Sequence, residues 1–173
     1  MFDASPTAAE ADWKTTLSHG DVVAFRFPVV DGESGARPKT RPCLVFDTLE
    51  IRGEPYALIA DGTSVRVRAD TGLQVRVSGA AASEAGLHRD TWFLGARRLL
   101  VPLGHSGFSI AAELGSPVIG RLGGEAYERL NAVRARLDAQ RDIAADRRER
   151  RRAAPRPTLA VFGDQGRRAG GAR

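Results

Sequence analysis

Cysteine is almost missing: Cys43 stands alone in 173 residues. No intramolecular disulfide is possible, and no cysteine-based zinc cage can be built. Histidine is scarce too. His19, His88 and His105 lie far apart, without the spacing of metal ligands, so each is expected to be structural or exposed and no metal is expected. No apolar run approaches the ~20 residues of a membrane helix. Met1–Asp12 carries Asp3, Glu10 and Asp12, with no basic stretch leading into an apolar one. A cytoplasmic protein without a membrane partner is the expectation. No glycine-rich loop joins a strand to a helix, no nucleophile elbow is present and no carboxylate pair stands out. Cofactor chemistry has no motif here, and no cofactor is expected.

Apolar residues make up 42% of the chain, enough for one core, while 19 glycines and 9 prolines imply many turns between short elements. The net charge of +5 is unevenly placed. Residues 1–140 hold 16 Lys/Arg against 17 Asp/Glu; residues 141–173 hold 10 Arg against 4 acids. The domain is near neutral and its tail is basic, an asymmetry that suits a nucleic-acid or acidic partner, or a solvated arm. Three segments follow: a loosely ordered lead-in at 1–18, a folded domain at 19–140 and a basic, disordered tail at 141–173.

Hydrophobic periodicity places the elements. In Asp21–Pro28, Val23, Phe25 and Phe27 alternate with Ala24 and Arg26, the period of a half-buried strand. Arg41–Thr48 is a continuous apolar run opened by Pro42, tolerated at the first residue of a strand. Arg52-Gly53 predicts a tight turn into a strand over Pro55–Ala60. Val65, Val67, Leu73, Val75 and Val77 predict a hairpin turning at Asp70–Gly72, and Ser78–Ala85 a short helical turn. Thr91–Leu94 and Arg97–Leu103 predict two further strands. In Gly124–Asp138, Ala126, Tyr127, Leu130, Val133 and Leu137 make one helical stripe. That helix has room to continue to about Arg152 before Pro155 and Pro157 end it. Short strands without βαβ alternation, followed by one C-terminal helix, predict a mainly β fold, a small antiparallel barrel.

Four pieces in order carry a family resemblance: GDVVAFRFPVVDG (Gly20–Gly32), RPCLVFD (Arg41–Asp47), ALIADGTS (Ala57–Ser64) and SPVIGRLGGEAYERLNAVRARL (Ser116–Leu137). Together they resemble the PemK/MazF family of toxins over about Gly20–Leu137. The resemblance implies an SH3-like (CcdB/MazF/PemK-type) barrel, a homodimer, cleavage of single-stranded RNA without a metal, and a cognate antitoxin protein as partner. It also implies Arg41 and Thr63 as catalytic residues, with Ser64 competing for the role of Thr63. The chain departs from the family at Asp61, where many relatives carry an uncharged residue, and in an insertion at Arg66–Arg98.

Chemistry supports those residue types. Cleaving RNA with its own 2′-hydroxyl needs charge stabilisation on the phosphorane, and an arginine opening a rigid strand offers a fixed fork of donors. Thr63 can give one hydroxyl hydrogen bond to the same phosphate. The proton acceptor is open, with Asp61 a candidate because a nearby Arg41 would keep it ionised. Arg26, Lys39, Arg66, Arg68 and Arg76 could line a groove against phosphates, equally the polar face of amphipathic strands. Trp92 and Phe93 could stack a base, and the loop Asp31–Thr40 could fold over substrate. A non-catalytic barrel binding nucleic acid or a protein partner is the alternative function.

Overall fold

The computed structural model describes residues 13–26, 39–65 and 72–153. The chain divides into two units, 1–140 and 141–173. Six strands are present: β1 (Asp21–Arg26), β2 (Thr40–Ile51), β3 (Glu54–Thr63), β4 (Gln74–Val77), β5 (Thr91–Pro102) and β6 (Val118–Arg121). Among the described residues, helices α1 (Ala80–Glu84) and α2 (Gly124–Ala153) accompany them, and residues 13–16 are also helical. All strands join one antiparallel sheet in the order β4-β5-β3-β2-β1-β6, curled into a half-barrel. The fold is mainly β with a C-terminal helix.

Burial on both faces explains why β2 reads as a continuous apolar run rather than an alternating one. Leu44 and Phe46 enter a core with Val22, Val75, Phe93 and the α2 residues Leu130 and Val133. Cys43 and Val45 enter a second core with Trp13, Phe25, Ile59 and Phe108. Each fully buried large side chain contributes about 1.5–3 kcal/mol through removal of apolar surface from water. The β2–β3 turn has positive φ at both central residues, 53° at Arg52 and 83° at Gly53, as two-residue hairpin turns require.

One expectation is corrected and one strand is added. Thr91–Leu94 and Arg97–Leu103 form one strand, β5. Its pairing with β3 shifts register between Ala60 and Gly62, so Gly62 faces Phe93 while Ala60 faces Arg98, and the extra residues of β5 are absorbed there. Val118–Arg121 is a strand, β6, pairing with β1. Residues 141–153, the start of the basic tail, continue the helix, as the room to about Arg152 allowed. Alanine, arginine and glutamate favour helix, and Arg150, Arg151 and Arg152 complement the negative C-terminal end of α2. The buried residues of α2 are Ala126, Leu130, Val133 and Leu137, so its later turns carry charge rather than core. Residues 1–12, 27–38, 66–71 and 154–173 lie outside the described residues, and with them much of the lead-in at 1–18, of the loop Asp31–Thr40 and of the turn at Asp70–Gly72. Among the described residues no helix is long and apolar enough to cross a membrane.

One polar link fastens β1 to β6. The carboxylate of Asp21, 3% exposed, accepts the Ser18 N–H (2.8 Å) and Arg121 Nε–H (2.7 Å), and Arg121 also donates to the Ser18 hydroxyl (2.7 Å). The same hydrogen bond, donated to the Asp21 carboxylate, raises the Arg121 pKa and holds its guanidinium charged. Asp21→Ala strands the Ser18 N–H, and the expected loss is about 1–3 kcal/mol. A urea melt with an unmoved midpoint would show that water replaces the carboxylate at no cost.

Candidate active site

Strand register builds the site. Cys43 of β2 faces Asp61 of β3 where their pairing ends, and beyond it Arg41 and Thr63 line one cleft. The strands come together tightly here. A Cβ on Gly62 would lie 2.8 Å from the Pro42 carbonyl oxygen, 2.8 Å from Thr91 Cγ2 and 2.9 Å from Phe93 Cε1, so only glycine fits.

A cleft of about 570 Å³ opens at this end of the sheet. Arg41, Thr63 and Ser64 line it together with Pro42 and Gly62, and the α1–β5 connection contributes Leu87, His88 and Arg89. Arg41, Ser64, His88 and Arg89 are exposed, and Thr63 is half-buried. The Thr63 hydroxyl oxygen accepts the Val65 N–H at 3.2 Å, which orients the hydroxyl and leaves its proton for another acceptor. Neither Arg41 nor Arg89 forms an ion pair with another described residue, so two guanidinium forks are available to an anion.

The other expected residues separate. Asp61 is 5% exposed and is not among the residues lining the cleft; its Oδ1 has no hydrogen-bond partner. Beside it, burial and then the Asp61 charge push the Cys43 thiol pKa far above its ordinary value, with Arg41 pulling weakly the other way. Arg26 sits at the end of β1, exposed, and donates to the Ser106 carbonyl at 3.4 Å. Lys39 is exposed just ahead of β2, outside the cleft lining. Arg66 and Arg68 lie outside the described residues. Phe93 is fully buried and cannot stack a base, because its side of β5 faces the α2 core; Trp92, facing the other way, is half-buried.

His88 and Arg89 were not anticipated as site residues. Both come from the segment Arg66–Arg98 that the family resemblance sets apart as an insertion, and no local pattern marks them. Their role arises only where α1 returns the chain to the sheet. The other two histidines are engaged: His19 Nε2 lies 2.6 Å from the Tyr127 hydroxyl, and His105 Nδ1 accepts the Gly107 N–H at 2.9 Å. His88 has no hydrogen-bond partner among the described residues and lines the cleft beside two arginines.

The raised thiol pKa carries a plain expectation. Only the thiolate reacts with alkylating reagents, so native protein should resist iodoacetamide at pH 8 and react after denaturation, followed by mass spectrometry. Rapid labelling of folded protein would show the strand around Cys43 to be open.

Compared with known proteins, the chain matches no protein-family model and no curated protein sequence. Among the described residues no three His, Cys, Asp or Glu side chains gather where a metal ion could be held.

Proposed function

We propose that this protein is an endoribonuclease that cleaves single-stranded RNA without a metal, in the manner of PemK/MazF toxins on an SH3-like barrel. One observation carries the reading: Arg41 and Thr63 line a single cleft with Arg89 and His88. In the reaction the RNA 2′-hydroxyl attacks the adjacent phosphorus. The bond to the 5′-oxygen breaks and that oxygen takes a proton from water, giving a 2′,3′-cyclic phosphate and a 5′-hydroxyl end. Arg41 and Arg89 stabilise charge on the phosphoryl oxygens, where a permanently protonated guanidinium is suited to bind and unsuited to act as base. The Thr63 hydroxyl donates a hydrogen bond to the same group. His88 takes the proton of the 2′-hydroxyl, histidine being the side chain that exchanges a proton most readily near neutral pH. That assignment replaces Asp61, whose carboxylate lies outside the cleft lining.

The reading extends to a two-fold dimer and to an antitoxin that blocks the cleft. It is tested by incubating the protein with end-labelled single-stranded RNA in EDTA. Cleavage with cyclic-phosphate ends is the expected result. Tight RNA binding without cleavage would instead identify a nucleic-acid-binding barrel.

A further inference from the structure

The sheet continues beyond the cleft in a direction the catalytic pair does not use. Thr63 of β3 is register partner to Trp92 of β5, and Trp92 is register partner to Arg76 of β4. Directly opposed residues of neighbouring strands project from the same face. Thr63, Trp92 and Arg76 therefore form one row across three strands, with neighbouring strands about 4.8 Å apart. Thr63, at the cleft, occupies one end of that row, and an aromatic ring paired with a cation occupies the other.

The far end is built rather than incidental. The Arg76 guanidinium lies over the Trp92 ring, 5.4 Å from its centroid. Asp90 holds that guanidinium by a 3.1 Å ion pair, and the other Asp90 oxygen accepts the Gly79 N–H at 3.3 Å. Arg76 keeps 59% of its side chain exposed despite both contacts. Trp92 and Arg76 line a depression of about 450 Å³ with Ser78, Glu125 and Arg129. Arg129 is anchored there, donating to the Gln74 and Gly72 carbonyls at 3.0 and 3.2 Å.

We infer that this depression is a nucleobase subsite, taking the unpaired base of the nucleotide beside the scissile phosphate. A base stacks on aromatic rings and on guanidinium planes alike, and the Trp92–Arg76 pair presents both in a fixed arrangement. Ser78 and Glu125 offer a hydroxyl and a carboxylate to the edge of the base. Stacking tolerates any base, so the subsite favours single strands over duplexes more than one sequence over another. The inference rests on the endoribonuclease reading for its substrate, and it concerns binding rather than the chemical step.

The test uses the full chain carrying Trp13→Phe, which leaves Trp92 as the sole tryptophan. The probes are a 2′-O-methyl oligouridine, which cannot be cleaved, the same oligomer annealed to its complement, and an abasic ribose-phosphate oligomer. The single strand is expected to quench Trp92 fluorescence, and the duplex and abasic oligomers to leave it unchanged. Trp92→Leu is expected to weaken binding roughly 5- to 150-fold, the effect of losing one stacking platform, and Trp92→Phe to retain most of the affinity. Should Trp92→Leu fail to fold, the three titrations of the Trp13→Phe protein still decide. Cleavage of natural RNA with no quenching and an unchanged KM in Trp92→Phe and Trp92→Leu would overturn the subsite and leave the nuclease reading standing. Base-dependent quenching with no cleavage would do the reverse. Neither binding nor cleavage would overturn both.

Discussion

Arg41→Ala is expected to slow RNA cleavage by about 2.7–4 kcal/mol of transition-state stabilisation, a factor of roughly 10²–10³, the loss that follows removal of one oxyanion donor. Arg41 is exposed at the start of β2 and makes no ion pair with a described residue, so the fold has little to lose. The melting temperature should stay within a few degrees of the parent, where a loss of ~1 kcal/mol shifts such a domain by about 2–8 °C. Arg41→Lys keeps the charge but not the two-pronged donor geometry, and should recover only part of the rate. Single-turnover cleavage at saturating RNA reads the chemical step directly. A rate equal to the parent's in Arg41→Ala would remove this arginine from the reaction, whatever else the cleft does.

Phe93→Ala is expected to destabilise the protein by about 3–5 kcal/mol, through lost burial and the cavity left behind. Phe93 has no exposed surface and packs in the core beneath α2. Its Cε1 lies 2.9 Å from where a Cβ of Gly62 would stand, so it also braces the strand that presents Thr63. Total stabilities of small domains are about 5–15 kcal/mol, so this single change removes a large share. Urea unfolding followed by circular dichroism should show a lower midpoint with a similar slope. A loss below ~1 kcal/mol would mean the core closes around the gap.

Much of the sheet was legible because its signals are local. Val23 and Phe25 alternate with Ala24 and Arg26, and β1 spans Asp21–Arg26. The run Cys43–Phe46 has four consecutive buried residues, as a strand covered on both faces should. Arg52-Gly53 marked its turn through the backbone conformations that such turns demand. What was missed depends on contacts remote in sequence. β6 has four residues and takes its identity from pairing with β1, about 100 positions away. Between the two predicted strands Thr91–Leu94 and Arg97–Leu103, the Gly95 N–H is held by the Leu73 carbonyl at 2.8 Å and the strand continues. Neither neighbour in the chain marks His88 or Arg89 as lining the cleft; the return from α1 brings them there. For Trp92 and Phe93, adjacency in sequence hid the fact that successive strand residues face opposite sides. Phe93 became core, and Trp92 lies half-buried against the Arg76 guanidinium.

The long β2–β3 hairpin bears on the order in which the molecule assembles. Its strands of 12 and 10 residues are joined by two residues, so closing it costs little chain entropy and every pairing along it is short in sequence. The junction of β1 with β6 is the opposite case, since Asp21 and Arg121 stand 100 residues apart. Local contacts form before distant ones repay their loop closure. The hairpin is thus the natural nucleus, and β6 docks onto a sheet already in place. Changes at Arg52 or Gly53 then act mainly on how fast the chain folds, whereas loss of the Asp21–Arg121 link acts mainly on how fast the finished protein comes apart.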